Sequence, residues 1–268
     1  MMGILNVTPD SFSDGGMHFD GLAAVDAGFQ MVDEGADVID VGGESTRPNA
    51  EPVAADEELR RVVPVVKALA ARGLRVSIDT SKAAVARACL EAGAWMVNDV
   101  TAFSDVEMPV VCAEAGCHVC LMHMKGTPRS MQVDPAYDDV VVEVKSYLVA
   151  RAAAAESSGI ARSRLWIDPG IGFGKTVAHN LELLRHLSAL VETGFPVLIG
   201  VSRKSFLSRL GDGAALGVDE RLSATIAAQT IVQACGVKAI RAHDVTAARQ
   251  AIDATAAILG VPDGTLRL

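Results

Sequence analysis

Three short polar side chains are candidates for recognising a small polar ligand. Asp79, Asn98 and Asp168 each come directly after a short run with a β-strand pattern. In a half-buried pocket, two carboxylates and an amide suit a flat heterocycle with several N–H donors and a carbonyl, because a wrong ligand leaves the pocket's polar groups unpaired. Alternatively, each residue caps the helix that follows it, since Asp and Asn are preferred N-cap residues. This second interpretation stays open for each residue alone and is weaker for the three together.

Basic side chains follow other runs of the same kind and could bind an anion. Arg offers a planar fork that matches phosphate oxygens, and Lys offers a compact charge with rotatable donors. The segment Ser202–Phe206 (SRKSF) is also predicted to open a helix, whose backbone N–H groups would add to an anion site. A lone basic residue is usually an ordinary surface charge, but these residues follow predicted strands. They are Arg47, Arg203, Lys204, Arg241 and His243.

The glycine-rich segment Asp168–Thr176 (DPGIGFGKT) has the composition of a nucleotide-binding loop without its spacing. A phosphate loop needs Gly five positions before the Gly-Lys pair, where this sequence has Pro169, and the dinucleotide pattern needs Gly where it has Lys175. The segment therefore predicts a tight turn that lets Asp168 and Phe173 approach a ligand closely.

Two long loops rich in Gly, Pro, Ser and Asp are predicted at Asn6–Gly16 and Gly42–Pro52. Both exceed the roughly 2–6 residues that usually connect a strand to a helix. We interpret them as loops that close over an active site, and the alternative is that they are irregular connectors.

The chain has five cysteines, and Cys117 and Cys120 form a C-x-x-C pair with Cys112 nearby. A metal or redox site would use such a pair, but one pair without a second is weak evidence. The stretch His118–Met122 has the pattern of a buried strand. We favour a buried strand in a protein of a reducing compartment.

These candidates are placed by a repeated unit of a short β-rich run, a polar loop and a helical pattern. Eight such units in 268 residues average about 33 residues, the size of one β-α-β step. An open sheet rarely keeps this alternation through eight units without a second domain. We therefore predict an α/β protein of one domain, residues 1–268, folded as a closed (β/α)8 TIM barrel, whose active site lies at the carboxyl ends of the strands.

The predicted strands are Met2–Leu5, Val38–Val41, Arg75–Ile78, Trp95–Val97, Val119–Leu121, Leu165–Ile167, Val197–Ile199 and Ala239–Ile240. The predicted helices include Leu22–Glu34, Asp56–Ala71, Ala83–Ala92, Asp138–Ser157, Leu222–Cys235 and Thr246–Leu259.

The overall composition excludes several classes of protein. The net charge is −9 and no Lys/Arg run occurs, so a nucleic-acid partner is not expected. The apolar runs are far shorter than the roughly 18 residues of a membrane-spanning helix. The first residues lack the basic region and cleavage pattern of a secretion signal. We expect a cytoplasmic protein without nucleic-acid or membrane partners.

The motifs, taken in order, resemble those of the dihydropteroate synthases, within the wider family of pterin-binding barrels. The resemblance covers almost the whole chain, and the combination of GGESTRP with SRKSF is specific to these synthases. One departure is that family members usually carry an N-terminal β-hairpin before the first motif, whereas this sequence begins at that motif, so we expect a barrel without the hairpin. The motifs are Gly3–Gly16, Asp40–Pro48 (DVGGESTRP), Ser77–Thr80 (SIDT), Asn98-Asp99, Met122–Gly126 (MHMKG), Asp168–Lys175 (DPGIGFGK), Ser202–Phe206 (SRKSF) and Arg241–Val245 (RAHDV).

The resemblance implies a set of site residues. The pterin ring would be held by Asp79, Asn98, Asp168, Phe173, Gly200 and Lys204. The pyrophosphate would be held by Arg47, Arg241 and His243, and p-aminobenzoate by Phe12, Thr46, Pro48 and Ser205. Asn6 would ligate a magnesium ion on the pyrophosphate. The catalytic residues would be Asp79, Lys204, Arg241 and His243.

The implied reaction joins 6-hydroxymethyl-7,8-dihydropterin pyrophosphate to p-aminobenzoate and gives 7,8-dihydropteroate and pyrophosphate, with dissociative loss of the magnesium-bound pyrophosphate. Sulfonamide sensitivity and a homodimer follow from the same resemblance. Three alternatives are a methyltetrahydrofolate-corrinoid methyltransferase domain, a non-catalytic pterin-binding paralogue and a metal-dependent hydrolase. The first two would lack a complete pyrophosphate cluster. The third needs several His ligands, and only His123 and His243 follow strands.

Overall fold

A computed structural model describes residues 1–8, 21–46, 50–210 and 214–260 of the chain. Eight parallel strands, each hydrogen-bonded to its neighbours, form the centre in the order β6-β5-β4-β3-β2-β1-β8-β7. The ring closes between β6 and β7 through a bridge of Ile167 with Val197, and Ile167 N–H donates to Pro196 O at 3.0 Å. The predicted (β/α)8 barrel is confirmed. The strands are β1 Met2–Asn6, β2 Val38–Gly42, β3 Val76–Asp79, β4 Met96–Asp99, β5 His118–Met122, β6 Leu165–Asp168, β7 Leu198–Ile199 and β8 Ala239–Ala242.

Helices follow the strands on the outside, and the six predicted ones end within two residues of their observed bounds. The α-helices are α1 Gly21–Asp33, α2 Ala55–Ala70, α3 Ala83–Glu91, α4 Met108–Ala115, α5 Val140–Ser157, α6 Val177–Arg185, α7 Ser188–Val191, α8 Leu222–Ala234 and α9 Val245–Leu259. Short 3-10 helices span Arg162–Arg164, Ser205–Arg209 and Asp219–Arg221. The helix that was predicted to open at Ser202–Phe206 is therefore the five-residue 3-10 helix Ser205–Arg209. Such a short helix has little of the dipole with which a long helix attracts an anion.

The apolar residues of the strands pack in two separate layers because alternate side chains point to opposite faces. The outward layer, which includes Ile78 and Leu121, packs against helix residues such as Leu69 and Leu148. The inward layer closes one end of the barrel interior. It consists of Met2, Val38, Met96, Cys120, Trp166, Leu198 and Ala239, with Trp95 packed against it.

Polar residues succeed this apolar layer on the same inward face. Two positions after Val38, Met96, Trp166 and Ala239, the strands carry Asp40, Asn98, Asp168 and Arg241. Since the strands are parallel, these side chains all lie on the carboxyl-terminal side of the apolar layer. Along each of these strands, the barrel interior therefore changes from apolar to polar or charged within two residues.

No helix among the described residues combines the length and the apolar character needed to cross a membrane.

Gly170, in the turn after β6, is required by the backbone that it approaches. It has a φ of 66°, and a Cβ at this position would lie 1.9 Å from the carbonyl oxygen of His123. Gly73 has a similar φ of 76°, but a Cβ there would meet nothing within 4 Å. Replacing each glycine with Ala therefore distinguishes two costs: Gly73→Ala has only that of the left-handed backbone, and Gly170→Ala has in addition that of a steric clash.

We predict that Gly170→Ala destabilises the protein more than Gly73→Ala does. Gly73→Ala should cost roughly 1–2 kcal/mol for its left-handed conformation alone. Gly170→Ala should cost roughly 1–3 kcal/mol beyond that, because the β5 end must move away from the added methyl group. Urea unfolding of the two variants and the parent measures the difference. Equal losses of unfolding free energy would show that the turn is not tightly packed against His123.

Candidate active site

The centre of the polar layer is a buried guanidinium held between two carboxylates. Arg241 on β8 donates from Nε to Asp40 Oδ2 at 2.5 Å and from Nη2 to Asp79 Oδ2 at 2.6 Å. Asn98 on β4 donates from Nδ2 to Asp40 Oδ2 at 3.1 Å. The network therefore links the carboxyl-terminal halves of β2, β3, β4 and β8 across the interior of the barrel.

Asp40 was missed as a site residue by the sequence reasoning. It lies inside a strand, within the apolar run Val38–Val41, whereas the candidates were taken from the positions that follow such runs. The structure buries Asp40 completely and gives it the central position between Arg241 and Asn98. An acidic residue inside an otherwise apolar strand was the signal, because a buried charge needs a partner.

Both carboxyls that were predicted to contact the ligand have raised pKa values. The pKa of Asp79 is raised to about 7, because burial and the nearby charge of Asp40 together outweigh the opposing charge of Arg241. Burial also raises the pKa of Asp168 to about 6, although the hydrogen bond from Gly170 N–H and the charge of Lys204 act to lower it. Burial is thus the main cause in both cases, and hydrogen bonds from a ligand's N–H donors would favour the ionised form of these carboxyls.

Lys204 and Phe173 form a second part of the site beside Asp168. Lys204 Nζ lies 4.1 Å from the centre of the Phe173 ring, within the range of a cation–π contact. Burial and the charge of Arg241 together lower the pKa of Lys204 to about 8. Gly172 leaves room for this arrangement, since a Cβ there would lie 3.2 Å from Lys204 Cδ.

The glycine-rich turn is held by the buried side chain of Lys175, a second residue that the sequence reasoning left without a role. Lys175 Nζ donates to Gly170 O at 3.0 Å and to Phe173 O at 2.9 Å, and it lies 2.9 Å from His123 Nδ1. Burial lowers the pKa of Lys175 to about 7 and that of His123 to about 3. A neutral His123 accepts a hydrogen bond at Nδ1, so the turn between Asp168 and Phe173 is fixed from its inner side.

The alternative of helix capping is wrong for all three polar candidates. The residues at the N-terminal ends of α3, α4 and α6 are Lys82, Glu107 and Thr176. Asp79, Asn98 and Asp168 lie instead on the inward face of the barrel and are 7%, 4% and 6% exposed.

The basic candidates divide into two groups. Arg241 lies in the polar layer, Lys204 lies beside it against the ring of Phe173, and His243 follows β8 with its Nδ1 3.0 Å from Ser202 Oγ. Burial lowers the pKa of His243 to about 4, and Arg241 adds to this effect. The prediction of one common basic cluster is wrong for Arg203. This residue has a φ of 55° and binds Asp244 through Nε at 2.9 Å.

The remaining candidates lie around the carboxyl-terminal rim. Asn6 ends β1 beside Gly42, which pairs with Asp79 on β3. Gly200 directly follows β7, and a Cβ there would lie 4.0 Å from Arg241 Cβ. Thr46 is half-buried and Ser205 is exposed. Three candidates lie outside the described residues, namely Phe12, Arg47 and Pro48.

The C-x-x-C pair does not form a site. Cys117 Sγ donates to Cys112 O at 3.7 Å in the outward core, whereas Cys120 belongs to the inward apolar layer. The two cysteines are three positions apart on an extended chain and so face opposite ways. No group of three or more His, Cys, Asp or Glu residues suited to a metal ion occurs in the part of the chain that the structure describes. The interpretation as a buried strand is confirmed.

Comparison with known proteins agrees with this geometry. The family described as "Pterin binding enzyme" matches residues 2–243. The dihydropteroate synthase of Escherichia coli (strain K12) is 45% identical over 264 residues, which cover 98% of this chain and 93% of that protein. This chain belongs to the dihydropteroate synthase family. As a member of it, the chain is a transferase.

Two solved structures of dihydropteroate synthases share the barrel over nearly its full length. The Yersinia pestis enzyme, in a sulfonamide drug complex, has a TM-score of 0.91 and 43% identity and covers 97% of this chain and 94% of that one. The Xanthomonas albilineans enzyme, in complex with 7,8-dihydropteroate, has a TM-score of 0.86 and 44% identity, with coverages of 97% and 93%.

The raised pKa of Asp79 predicts a dependence of stability on pH. Between pH 3.8 and about 7 the folded protein keeps a proton at Asp79 that the unfolded chain releases. This contribution is fully present below the unfolded pKa and is lost as the pH rises through the folded pKa. The unfolding free energy of the parent minus that of Asp79→Asn should therefore fall from pH 4 to pH 7 and level off above. Urea unfolding across this range measures it, and a difference that rises with pH would contradict the assignment.

Proposed function

We propose that this chain is a dihydropteroate synthase, which condenses 6-hydroxymethyl-7,8-dihydropterin pyrophosphate with p-aminobenzoate to give 7,8-dihydropteroate and pyrophosphate. The observation that carries the proposal is the inward polar layer of Asp40, Asp79, Asn98, Asp168 and Arg241. The family membership and the product bound in the Xanthomonas albilineans enzyme support it.

The pterin ring would bind in the polar layer, between the strands that carry Asp79, Asn98 and Asp168. Its ring N–H and amino groups are donors, and the two buried carboxyls, whose pKa values burial raises, would gain hydrogen bonds to their ionised forms from such donors. Phe173 and Lys204 would lie along one side of the ring. The Cβ-free position at Gly200 leaves space beside Arg241.

The pyrophosphate would bind at the rim, where Arg241 lies on β8 and His243 directly follows the end of this strand. The guanidinium of Arg241 has five N–H groups, more than its two carboxylate contacts use. His243 is neutral at pH 7 by its lowered pKa and would donate a hydrogen bond to the anion. A bound pyrophosphate would raise that pKa again through its negative charge. Arg47, outside the described residues, would complete this set.

The residues present fit a magnesium ion that is bound mainly through the substrate. Mg²⁺ usually keeps several waters and takes one or two protein oxygen ligands together with phosphate oxygens. The described residues contain no metal cage of their own, and Asn6 offers an amide oxygen at the end of β1, beside the polar layer. Asn6 would hold the ion, which supplies positive charge to the leaving pyrophosphate.

In the reaction, the bond between the pterin methylene carbon and the pyrophosphate oxygen breaks, and the p-aminobenzoate nitrogen then bonds to that carbon and loses a proton. The electron-rich dihydropterin ring can carry the cation that develops when pyrophosphate leaves. Asp79 would stabilise this cation, and Arg241, Lys204 and His243 would stabilise the leaving anion. Thr46 and Ser205, with Phe12 and Pro48 outside the described residues, would hold p-aminobenzoate.

The experiment that tests the function mixes the protein with dihydropterin pyrophosphate, p-aminobenzoate and magnesium and measures dihydropteroate and pyrophosphate by chromatography. Equal amounts of both products are expected, with loss of turnover when magnesium is chelated and competition between a sulfonamide and p-aminobenzoate. Pterin binding without any product would favour a non-catalytic pterin-binding protein. Methyl transfer from methyltetrahydrofolate would favour the corrinoid-dependent alternative.

Asp168→Asn should weaken pterin binding on the order of ten- to 100-fold, the equivalent of one hydrogen bond to a charged group. Asp168 Oδ1 accepts the N–H of Gly170 at 2.7 Å, so an isosteric amide keeps this turn but turns one acceptor into a donor. Calorimetric titration with 6-hydroxymethylpterin measures the affinity, and an unchanged melting temperature serves as the control. A variant that is folded and binds within twofold of the parent would remove Asp168 from the site.

We propose a homodimer formed through the outer helices. Large apolar side chains are exposed on α8 and α9, with Ile231 60%, Ile258 83% and Leu259 50% exposed. Exposed apolar groups on neighbouring elements are typical of protein interfaces. Light scattering should give about twice the chain mass of 27.9 kDa, and Ile231→Asp should shift it toward one chain mass. One chain mass for the parent at micromolar concentration would reject the dimer.

A cytoplasmic location is proposed as well, because all five cysteines are free. Cell fractionation tests it, and recovery of the protein with secreted material would overturn it.

A further inference from the structure

Three charged side chains meet beneath the segment that leaves β2. Lys82, directly before α3, binds Glu44 in this segment, and its Nζ also donates to Glu58 Oε2 on α2 at 2.5 Å. The side chain of Glu58 is fully buried, while those of Lys82 and Glu44 are each 25% exposed. We call Lys82, Glu44 and Glu58 the anchor cluster.

The anchor cluster is tied to the backbone on both sides of the segment. Glu44 Oε1 accepts the N–H of Val53 at 3.3 Å, so one carboxylate joins the departing and the returning chain. On the departing side, Arg61 Nη1 donates to Gly43 O at 2.9 Å. A Cβ at Gly43 would lie 2.7 Å from Val62 Cγ1, so the chain passes close above α2 at this point.

Stability alone does not explain the anchor cluster. Burying the carboxylate of Glu58 costs free energy, and its Oε1 has no hydrogen-bond partner among the described residues. Replacing a buried ion pair with packed apolar side chains is often neutral or stabilising. Stability alone therefore does not account for charged groups here, and their contacts with the chain on both sides of the segment point to a role in holding it in one place.

The position of Lys82 connects the two halves of the proposed site. Lys82 follows Asp79, a residue of the proposed pterin-binding layer, by three positions. Its partner Glu44 precedes Thr46 by two positions. Burial acts to lower the pKa of Lys82, but the hydrogen bonds from its ammonium to Glu44 and Glu58 outweigh this and raise it. The lysine thus stays charged wherever the carboxylates are ionised.

We propose that Lys82, through Glu44, is a positioning residue for p-aminobenzoate: it fixes the Gly43–Thr46 segment relative to the strand that carries Asp79. This inference rests on the proposed function, because it assigns p-aminobenzoate to Thr46. Lys82 touches neither substrate. Its loss displaces one substrate site and leaves the pterin layer, which Arg241 and Asp40 hold, in place.

The test compares Lys82→Met and Glu44→Ala with the parent enzyme in steady-state assays of both substrates. Each variant should raise the KM for p-aminobenzoate on the order of ten- to 100-fold, since a displacement of about 1 Å costs up to that much. The affinity for 6-hydroxymethylpterin, measured by calorimetry, should stay within about twofold of the parent. Arg60→Met removes an exposed ion pair with Glu57 on the same helix and should change neither value.

A second variant keeps the test valid if Lys82→Met folds poorly. Lys82→Met combined with Glu58→Gln removes the unpaired buried charge, so it should restore the melting temperature and still show the raised KM. Recovery of the KM together with the melting temperature, or equal weakening of pterin and p-aminobenzoate, would show that the anchor cluster only supports the fold. If the parent itself makes no dihydropteroate, the proposed function fails first, and this outcome is separate.

Discussion

The ion pairs of Arg241 with Asp40 and Asp79 are the interaction on which the site depends. One guanidinium on β8 reaches two carboxylates on β2 and β3, and Asn98 on β4 joins through Asp40. These contacts span the consecutive strands β8, β1, β2, β3 and β4, whose inward faces must curve toward one another for one guanidinium to reach both carboxylates. Arg241 stays protonated: burial opposes its charge, but Asp40 and Asp79 raise its pKa. The closed barrel and the charge network therefore support each other.

The network keeps one buried acceptor without a hydrogen-bond partner among the described residues, Asp40 Oδ1. Burial raises the pKa values of Asp79 and Asp168, although the charge of Arg241 acts to lower both. Buried polar groups that lack partners cost free energy. A flat molecule rich in N–H donors removes that cost, and a molecule without them does not. Such a difference would make the proposed site selective for a pterin-like ring.

The site is built on rigid supports. Below it, the apolar layer that includes Met96 and Trp166 fills the barrel. Beside it, Lys175 fixes the turn between Asp168 and Phe173 through two carbonyl oxygens. Groups placed on strands and packed turns hold their geometry better than groups on free loops. The anchor cluster extends the same kind of support to the segment after β2.

The sequence by itself determined the eight strands, their order around the barrel and the residues at their carboxyl ends. These follow from local periodicity and from a rule that holds for all parallel barrels, so Asp79, Asn98, Asp168, Lys204 and Arg241 were identified in advance. What it could not determine was which polar groups bind one another. Asp40 inside β2 and Lys175 after the glycines gain their roles from residues far away in the chain.

Only the tertiary structure decided between neighbours that look equivalent in the sequence. Lys204 lies against Phe173, whereas the adjacent Arg203, with its left-handed backbone, binds Asp244. Cys117 contacts Cys112 and not Cys120, because the strand turns the last two to opposite faces. A local pattern fixes the direction of a side chain along its own element. The partner it meets depends on how distant elements pack, and that is decided when the barrel closes.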